Sequence, residues 1–212
     1  IYAIPSDVGQ MVGIQHLADE ISKREDKVDV LINNAGVAWG ATLEEFPESG
    51  WDKVMDVNVK GIFFLFQKLI PLLRKSASAE DPARVINIAS IDGLHTSPFS
   101  GYAYGTSKAA VIHLTRFMAA QHVGEHILVN GIAPGPFPTW MLSTGVGFGG
   151  ETEGVDWDSV AERNPSGLHF RSHHPVRWRD RLIQLGEHSR ENSAPMTVFV
   201  LRRSMKAVIG MP

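Results

Sequence analysis

Four apolar runs in this chain end the same way, in small or polar residues, and a helix-forming stretch follows each of the first three. Residues 2–4 run into Pro5-Ser6-Asp7. Residues 28–32 (VDVLI) break at Asn33-Asn34-Ala35-Gly36. Residues 85–89 end at Ser90, and residues 127–133 end at Pro134-Gly135-Pro136. Between them lie stretches of helical period. Ile14, Leu17, Ala18 and Ile21 form one stripe, closed by Lys23-Arg24-Glu25-Asp26. A second helix is predicted from Trp51 through Val54, Met55, Ile62, Phe66 and Leu69 until it meets Pro71, and a third over residues 102–121. Short β-branched runs alternating with helices demand parallel βαβ units, hence an α/β layer fold. In such folds ligand sites form at the carboxyl ends of the strands. The polar residues that end these runs fall there.

The chain has 212 residues, enough for one sizeable core. No apolar run approaches a membrane span. There is no cysteine, which excludes disulfides and cysteine metal sites and suits a reducing compartment. A net charge of −3 argues against a general nucleic-acid binder. The charge is uneven: from Gly167 onward seven Arg and one Lys face three acids, a net of +5, so the rest carries −8. The sequence starts at Ile1, directly on an apolar run and without a signal-peptide pattern, as a fragment of a cytoplasmic protein would.

The chemistry-bearing stretch is Ser90 to Lys108, SIDGLHTSPFSGYAYGTSK. Tyr104 and Lys108 are four apart, one turn along one helix face. An ammonium held near a phenol favours the phenolate, so this spacing predicts a tyrosine pKa below its ordinary value. Ser90, at a strand end, is placed to polarise a carbonyl that Tyr104 protonates. A Tyr–Lys pair at this spacing is common by chance and is often a plain surface pair. Tyr102, with Thr106 four residues on, has no such partner.

The ordered set Asp7-Val8, Asn33-Asn34-Ala35-Gly36, Asn58 within DVNVKG, Ser90, Tyr104-Gly105-Thr106-Ser107-Lys108 and Pro134-Gly135 with Thr139 resembles the short-chain dehydrogenase/reductase family. The resemblance covers residues 1–165; within the family, NNAGVAWGATLEEFPESGWDKVMDVNV and YAYGTSKAA are similar to β-ketoacyl reductases. It implies a Rossmann-like, doubly wound parallel sheet. It also implies an oxidoreductase that passes hydride between a nicotinamide cofactor, NADP(H) ahead of NAD(H), and a carbonyl or secondary alcohol such as a 3-oxoacyl thioester. Tyr104 would be the acid and base, Lys108 would lower its pKa and hold the nicotinamide ribose, and Ser90 would bond the substrate oxygen. Asn58 would hold a water behind Lys108; its plain reading is a polar residue that bends its helix. Asn34, Ala35 and Gly36 would let the cofactor approach, where a simple turn is the alternative. Asp7 and Val8 would meet the adenine, although Asp7 also suits a helix N-cap. Pro134 and Gly135 would line the nicotinamide and Thr139 its carboxamide. The implied partners are a small carbonyl substrate and a second copy of the chain, paired through residues 51–75 and 102–121, with no nucleic acid or membrane.

The chain also departs from the family pattern. The glycine-rich phosphate turn and the first two strands of the family sheet do not occur ahead of residue 2. The expectation is therefore an incomplete sheet, with two exposed backbone edges and no tight dinucleotide binding. Gly145, Gly147 and Gly150 satisfy G-x-G-x-x-G but follow Pro138 rather than a strand, and read as a substrate lid. Residues 166–212 form a basic tail without clear periodicity, as a shifted frame or mis-joined exon would. His169, His173 and His174 in it lack the carboxylate or cysteine company of a metal site, so none is assigned. The rival to an enzyme is a non-catalytic remnant or binding subunit that keeps Ser90, Tyr104 and Lys108.

Overall fold

The structure is a computed structural model that describes residues 2–96 and 101–135, with the backbone of 198–202 and 206–210. The described elements in chain order are β1 (Tyr2–Ala3), α1 (Met11–Arg24), β2 (Val30–Asn33), α2 (Glu48–Met55), a π turn (Asp56–Lys60) and α3 (Gly61–Ser76). They continue with β3 (Ala83–Ile88), a 3-10 turn (Ile91–Gly93), α4 (Tyr102–His122), β4 (Ile127–Ile132), β5 (Val198–Arg202) and β6 (Lys206–Gly210).

The core follows from the sequence stripes. Ile14, Leu17, Ala18 and Ile21 of α1 are all buried, as their spacing predicts. They pack with Leu65, Leu69 and Leu73 of α3 and with Val111 and Met118 of α4, against Leu31, Val85, Ile127 and Val129 of the sheet. Leu31, Val85 and Val129 lie in register across β2, β3 and β4, so one row of side chains meets the helices. A fully buried Leu or Ile contributes about 1.5–3 kcal/mol, and the cluster holds many. The opposite row is more open: Leu128 and Ile132 are exposed. Pro71 does not end its helix. It sits inside α3, on the exposed side, while Leu69, Leu72 and Leu73 beside it are core anchors that carry the helix through to Ser76. Their burial outweighs one lost helical hydrogen bond.

The sheet order is β1-β6-β5-β2-β3-β4. β2, β3 and β4 are parallel neighbours, as expected. The expected exposed edges are corrected by the structure: a hairpin from the basic tail fills the interval between β1 and β2. β6 pairs parallel with β1, and β5 pairs antiparallel with both β6 and β2. Unpaired N–H and C=O groups in mid-sheet favour any extended segment that can pair with them.

Candidate active site

Ser90 ends β3 and caps the 3-10 turn, its Oγ accepting the Asp92 backbone N–H at 3.2 Å. The Ile91 N–H donates to the Pro134 carbonyl at 3.0 Å, tying this loop to the end of β4. Gly93 lies on α4, where a Cβ would come within 2.5 Å of the Lys108 carbonyl carbon. Only glycine lets the loop rest that close to a helix backbone. Tyr104 and Lys108 stand in the first two turns of α4, and the Tyr104 phenol hydrogen-bonds the Ser90 side chain.

Lys108 is 4% exposed. Its Nζ donates to the Ile88 carbonyl at 3.0 Å and lies 5.5 Å from the centroid of the Tyr104 ring. Burial lowers its pKa to about 8, so it is charged at neutral pH. The expected direction for Tyr104 is reversed. Burial is the largest influence and raises the phenol; the Ser90 bond lowers it, and the Asp92 carboxylate raises it further. The spacing correctly brings lysine and tyrosine together, but the ammonium is bonded to a backbone carbonyl. Tyr104 is therefore a neutral phenol near pH 7, the form that donates a proton.

Asn58 is fully buried in the π turn. The Val37 N–H donates to its Oδ1 at 2.9 Å, and its Nδ2 donates to the Val37 carbonyl at 3.0 Å and to Ser107 Oγ at 2.9 Å. Ser107 Oγ donates onward to the Tyr104 carbonyl at 2.7 Å. Both amide protons of Asn58 are thus bonded to protein, and the expected grip on a water does not use them. The plain reading, a polar residue that distorts its helix, agrees with the π turn: the Gly61 N–H reaches back to the Asp56 carbonyl.

The remaining predicted residues divide by position. Gly36 is brought into the cluster: a Cβ there would lie 3.4 Å from Lys108 Nζ and 3.5 Å from Asn58 Oδ1. Asn34 is exposed and Ala35 is buried beside it. Pro134 and Gly135 adjoin Ile91, next to Ser90. Asp7 lies apart, beyond the β1 end. It does not N-cap α1; Gln10 holds that position, while Asp7 Oδ1 accepts the Gly9 N–H at 2.9 Å in an Asx turn. Val8 is buried in the core, with its carbonyl against Gly61. Thr139, the 145–150 segment and His169, His173 and His174 lie outside the described residues. No metal-ligand cluster occurs among the described residues, and no described helix is long and apolar enough to cross a membrane.

Asp92 belongs to this site without a sequence signal of its own, and Ser107, quoted only as part of the Tyr104-Gly105-Thr106-Ser107-Lys108 match, takes a bracing role there. Asp92 is a carboxylate two residues beyond Ser90, and Ser107 precedes Lys108 on a buried helix face. A further buried amide ladder, Asn33 Nδ2 to Asn87 Oδ1 at 2.8 Å and Asn87 Nδ2 to Thr115 Oγ1 at 3.0 Å, braces β2, β3 and α4 below the site.

The parallel strands β2, β3 and β4 thus gather Ser90, Tyr104 and Lys108 at the carboxyl edge of a Rossmann-like sheet. Residues 1–145 match the family model described as short chain dehydrogenase, and the chain belongs to the short-chain dehydrogenase/reductase family. It is 52% identical over 139 residues to the rhamnolipids biosynthesis 3-oxoacyl-[acyl-carrier-protein] reductase of Pseudomonas aeruginosa, covering 66% of this chain and 54% of that protein. A 3-oxoacyl-[acyl-carrier-protein] reductase of Thermotoga maritima is 34% identical over 60% of this chain and 50% of its own length. Among solved structures, the Pseudomonas aeruginosa RhlG/NADP active-site complex superposes with a TM-score of 0.64 at 51% identity, over 66% of this chain and 55% of that one. A gluconate 5-dehydrogenase of Burkholderia cenocepacia, solved with NADP and tartrate, gives 0.58 at 31% identity, over 65% and 52%. The chain spans about half the length of the curated relatives it matches.

Proposed function

We propose that the chain carries the catalytic half of an NADP(H)-linked ketoreductase acting on a 3-oxoacyl thioester. The observation that carries this reading is the joint placement of Ser90, Tyr104 and Lys108, with Tyr104 bonded to Ser90 and Lys108 buried one turn away. The similarity to 3-oxoacyl reductases supports the substrate class, and the NADP in a similar structure supports the cofactor.

The nicotinamide–ribose part of such a cofactor fits the residues present. Gly36 leaves open the space beside Lys108 Nζ that a Cβ would fill. The lysine ammonium has three donors and directs one to the Ile88 carbonyl; the ribose hydroxyls are acceptors for another. Pro134 and Gly135 adjoin the Ser90 loop on its far side. When bound, the reduced nicotinamide supplies the hydride that reaches the carbonyl carbon.

The chain's own residues do the rest. The Ser90 hydroxyl and the Tyr104 phenol, which lie together, are the two groups that hold the substrate oxygen. As negative charge builds on that oxygen, Tyr104 delivers its proton and Ser90 stabilises what remains. The cationic Lys108 nearby favours the phenolate left behind. Asn58 and Ser107 fix the α4 start so that this geometry is set before substrate arrives.

The test is reduction of acetoacetyl thioester by the purified chain at millimolar NADPH. Tyr104→Phe is expected to lower turnover by about 10²–10⁴-fold. Turnover unchanged by that substitution refutes the assignment.

A further inference from the structure

The Ser90–Tyr104 pair has a carboxylate for a neighbour, and the proton transfer described above makes no use of it. Asp92 follows Ser90 by two residues in the 3-10 turn, and three contacts fix where it sits. Its backbone N–H donates to Ser90 Oγ at 3.2 Å. Its carbonyl oxygen lies against α4, 3.3 Å from where a Cβ on Gly105 would stand, and Gly105 follows Tyr104 directly. Gly93, next in the turn, rests on the Lys108 backbone, where a Cβ would come within 2.5 Å of the carbonyl carbon. A turn held in this way cannot carry Asp92 off the site without moving Ser90 as well. Burial raises the Tyr104 phenol, and the negative charge of Asp92 raises it further, so that charge is felt where the substrate oxygen binds.

Two charges thus flank the reacting groups, and they differ in access. Lys108 is 4% exposed, and its ammonium is bonded to the Ile88 carbonyl. Asp92 is only half-buried. The more accessible charge is therefore the negative one. A free 3-oxo acid carries its carboxylate two bonds from the carbon that is reduced. With the oxygen of that carbon held by Ser90 and Tyr104, the acid group must settle close to the cluster that contains Asp92. Like charges repel strongly there, because the effective dielectric constant of a part-buried site is about 20 rather than 80. An ester or thioester of the same acid has a neutral carbonyl at that position and meets no such repulsion.

We propose that Asp92 selects substrates by charge: the site admits carbonyl compounds that are neutral beside the reacting carbon, as esters and thioesters are, and turns away free 3-oxo acids. The proposal rests on the carbonyl-reducing reading of Ser90, Tyr104 and Lys108. It gives the discrimination to a residue that moves neither hydride nor proton.

Ligand-observed NMR titration of the full chain at neutral pH tests it without turnover. The probes are 3-hydroxybutyrate and its methyl ester, which share the acyl skeleton and differ in charge. The parent is expected to bind the ester about tenfold more tightly or better, a step of about 1.4 kcal/mol. Asp92→Asn keeps the shape and removes the charge; there the acid should gain until the two constants agree within about threefold. Asp92→Glu keeps the charge and should keep the gap, which a turn merely disturbed by substitution would not do. Equal affinities in the parent, a gap that persists in Asp92→Asn, a gap lost in Asp92→Glu, or no binding of the ester overturns the proposal. Tyr104→Phe keeps the two readings apart. Turnover of acetoacetyl thioester unchanged by that substitution removes the reductase assignment, while the ester-to-acid ratio still reads the charge filter. A ratio near one beside Tyr104-dependent turnover removes the filter alone.

Discussion

Asn58 holds Val37 by both backbone groups, accepting its N–H at 2.9 Å and donating to its carbonyl at 3.0 Å. A side-chain carboxamide here stands in for a β-ladder partner. It fixes the loop after β2 against the π turn, and its second amide proton reaches Ser107, below Tyr104.

Asn58→Ala should therefore act on fold and turnover together. It leaves the part-buried N–H and carbonyl of Val37 without their partner, at a cost of about 1–3 kcal/mol for the set. Urea denaturation should show that loss, and kcat should fall because the α4 start loses its brace. Asn58→Asp retains the acceptor for the Val37 N–H but no donor for the Val37 carbonyl, so it should rescue little. A stability within about 0.5 kcal/mol of the parent would count against the clamp.

Lys108 predicts a pH signature. Its pKa falls from 10.5 to about 8 on folding because burial penalises the ammonium. Between those values the unfolded chain binds more protons than the folded one, so this group makes stability rise with pH from about 8 to 10.5. Below pH 8 the buried charge destabilises the fold. Lys108→Met should raise stability at pH 7 by about 1–3 kcal/mol, after allowance for the lost bond to Ile88, while abolishing turnover. The stability gain should vanish above pH 10.5. Thermal melts of both proteins across pH 6–11 check the sign; a variant less stable than the parent at pH 7 would contradict it.

The reductive rate should decline above pH 8 as Lys108 loses its proton. Tyr104 stays protonated through that range, because burial raises its pKa. A rate profile flat from pH 6 to 10 would show that the lysine charge plays no part.

Gly93 sets the distance between the Ser90 loop and α4. In Gly93→Ala the new methyl would meet the Lys108 carbonyl carbon at 2.5 Å and the Ala109 nitrogen at 2.7 Å, both backbone atoms. The loop must move, and Ser90 with it. A loss of about 1–3 kcal/mol is expected, with kcat falling more than KM rises. Kinetics matching the parent would show that the loop accommodates the methyl.

A second copy is the proposed partner of the α3 and α4 outer faces. Phe63 and Phe117 are 41% and 58% exposed, and Met55, Val59, Phe63, Phe64 and Leu114, with Asp56 and Lys60, line a groove formed by the end of α2, the π turn, α3 and α4. Phe63→Glu should convert a dimer or tetramer to monomer in sedimentation velocity. A monomeric parent chain would remove the proposal.

The sequence by itself determined what depends on short spacings. Ile14, Leu17, Ala18 and Ile21 lie on one turn-by-turn stripe, and their burial needs no knowledge of distant residues. The strand ends at Asn33, Ser90 and Pro134 were legible because polar residues stop an apolar run abruptly, and parallel crossovers then place those ends on one edge. Tyr104 and Lys108 met because four residues make about one helical turn. Tertiary structure decided the rest. The Tyr104 phenol rises rather than falls, because burial and the Asp92 carboxylate outweigh the Ser90 hydroxyl, and none of these is visible in a spacing of four. Asn58 became a clamp only when the fold brought Val37 and Ser107, 21 and 49 residues away, to its carboxamide. The strands at 198–202 and 206–210 entered the middle of the sheet because open strand edges favour any extended segment that can pair with them. Backbone pairing of that kind is set by exposed N–H and C=O groups across some 165 residues of chain, and side-chain periodicity carries no record of it.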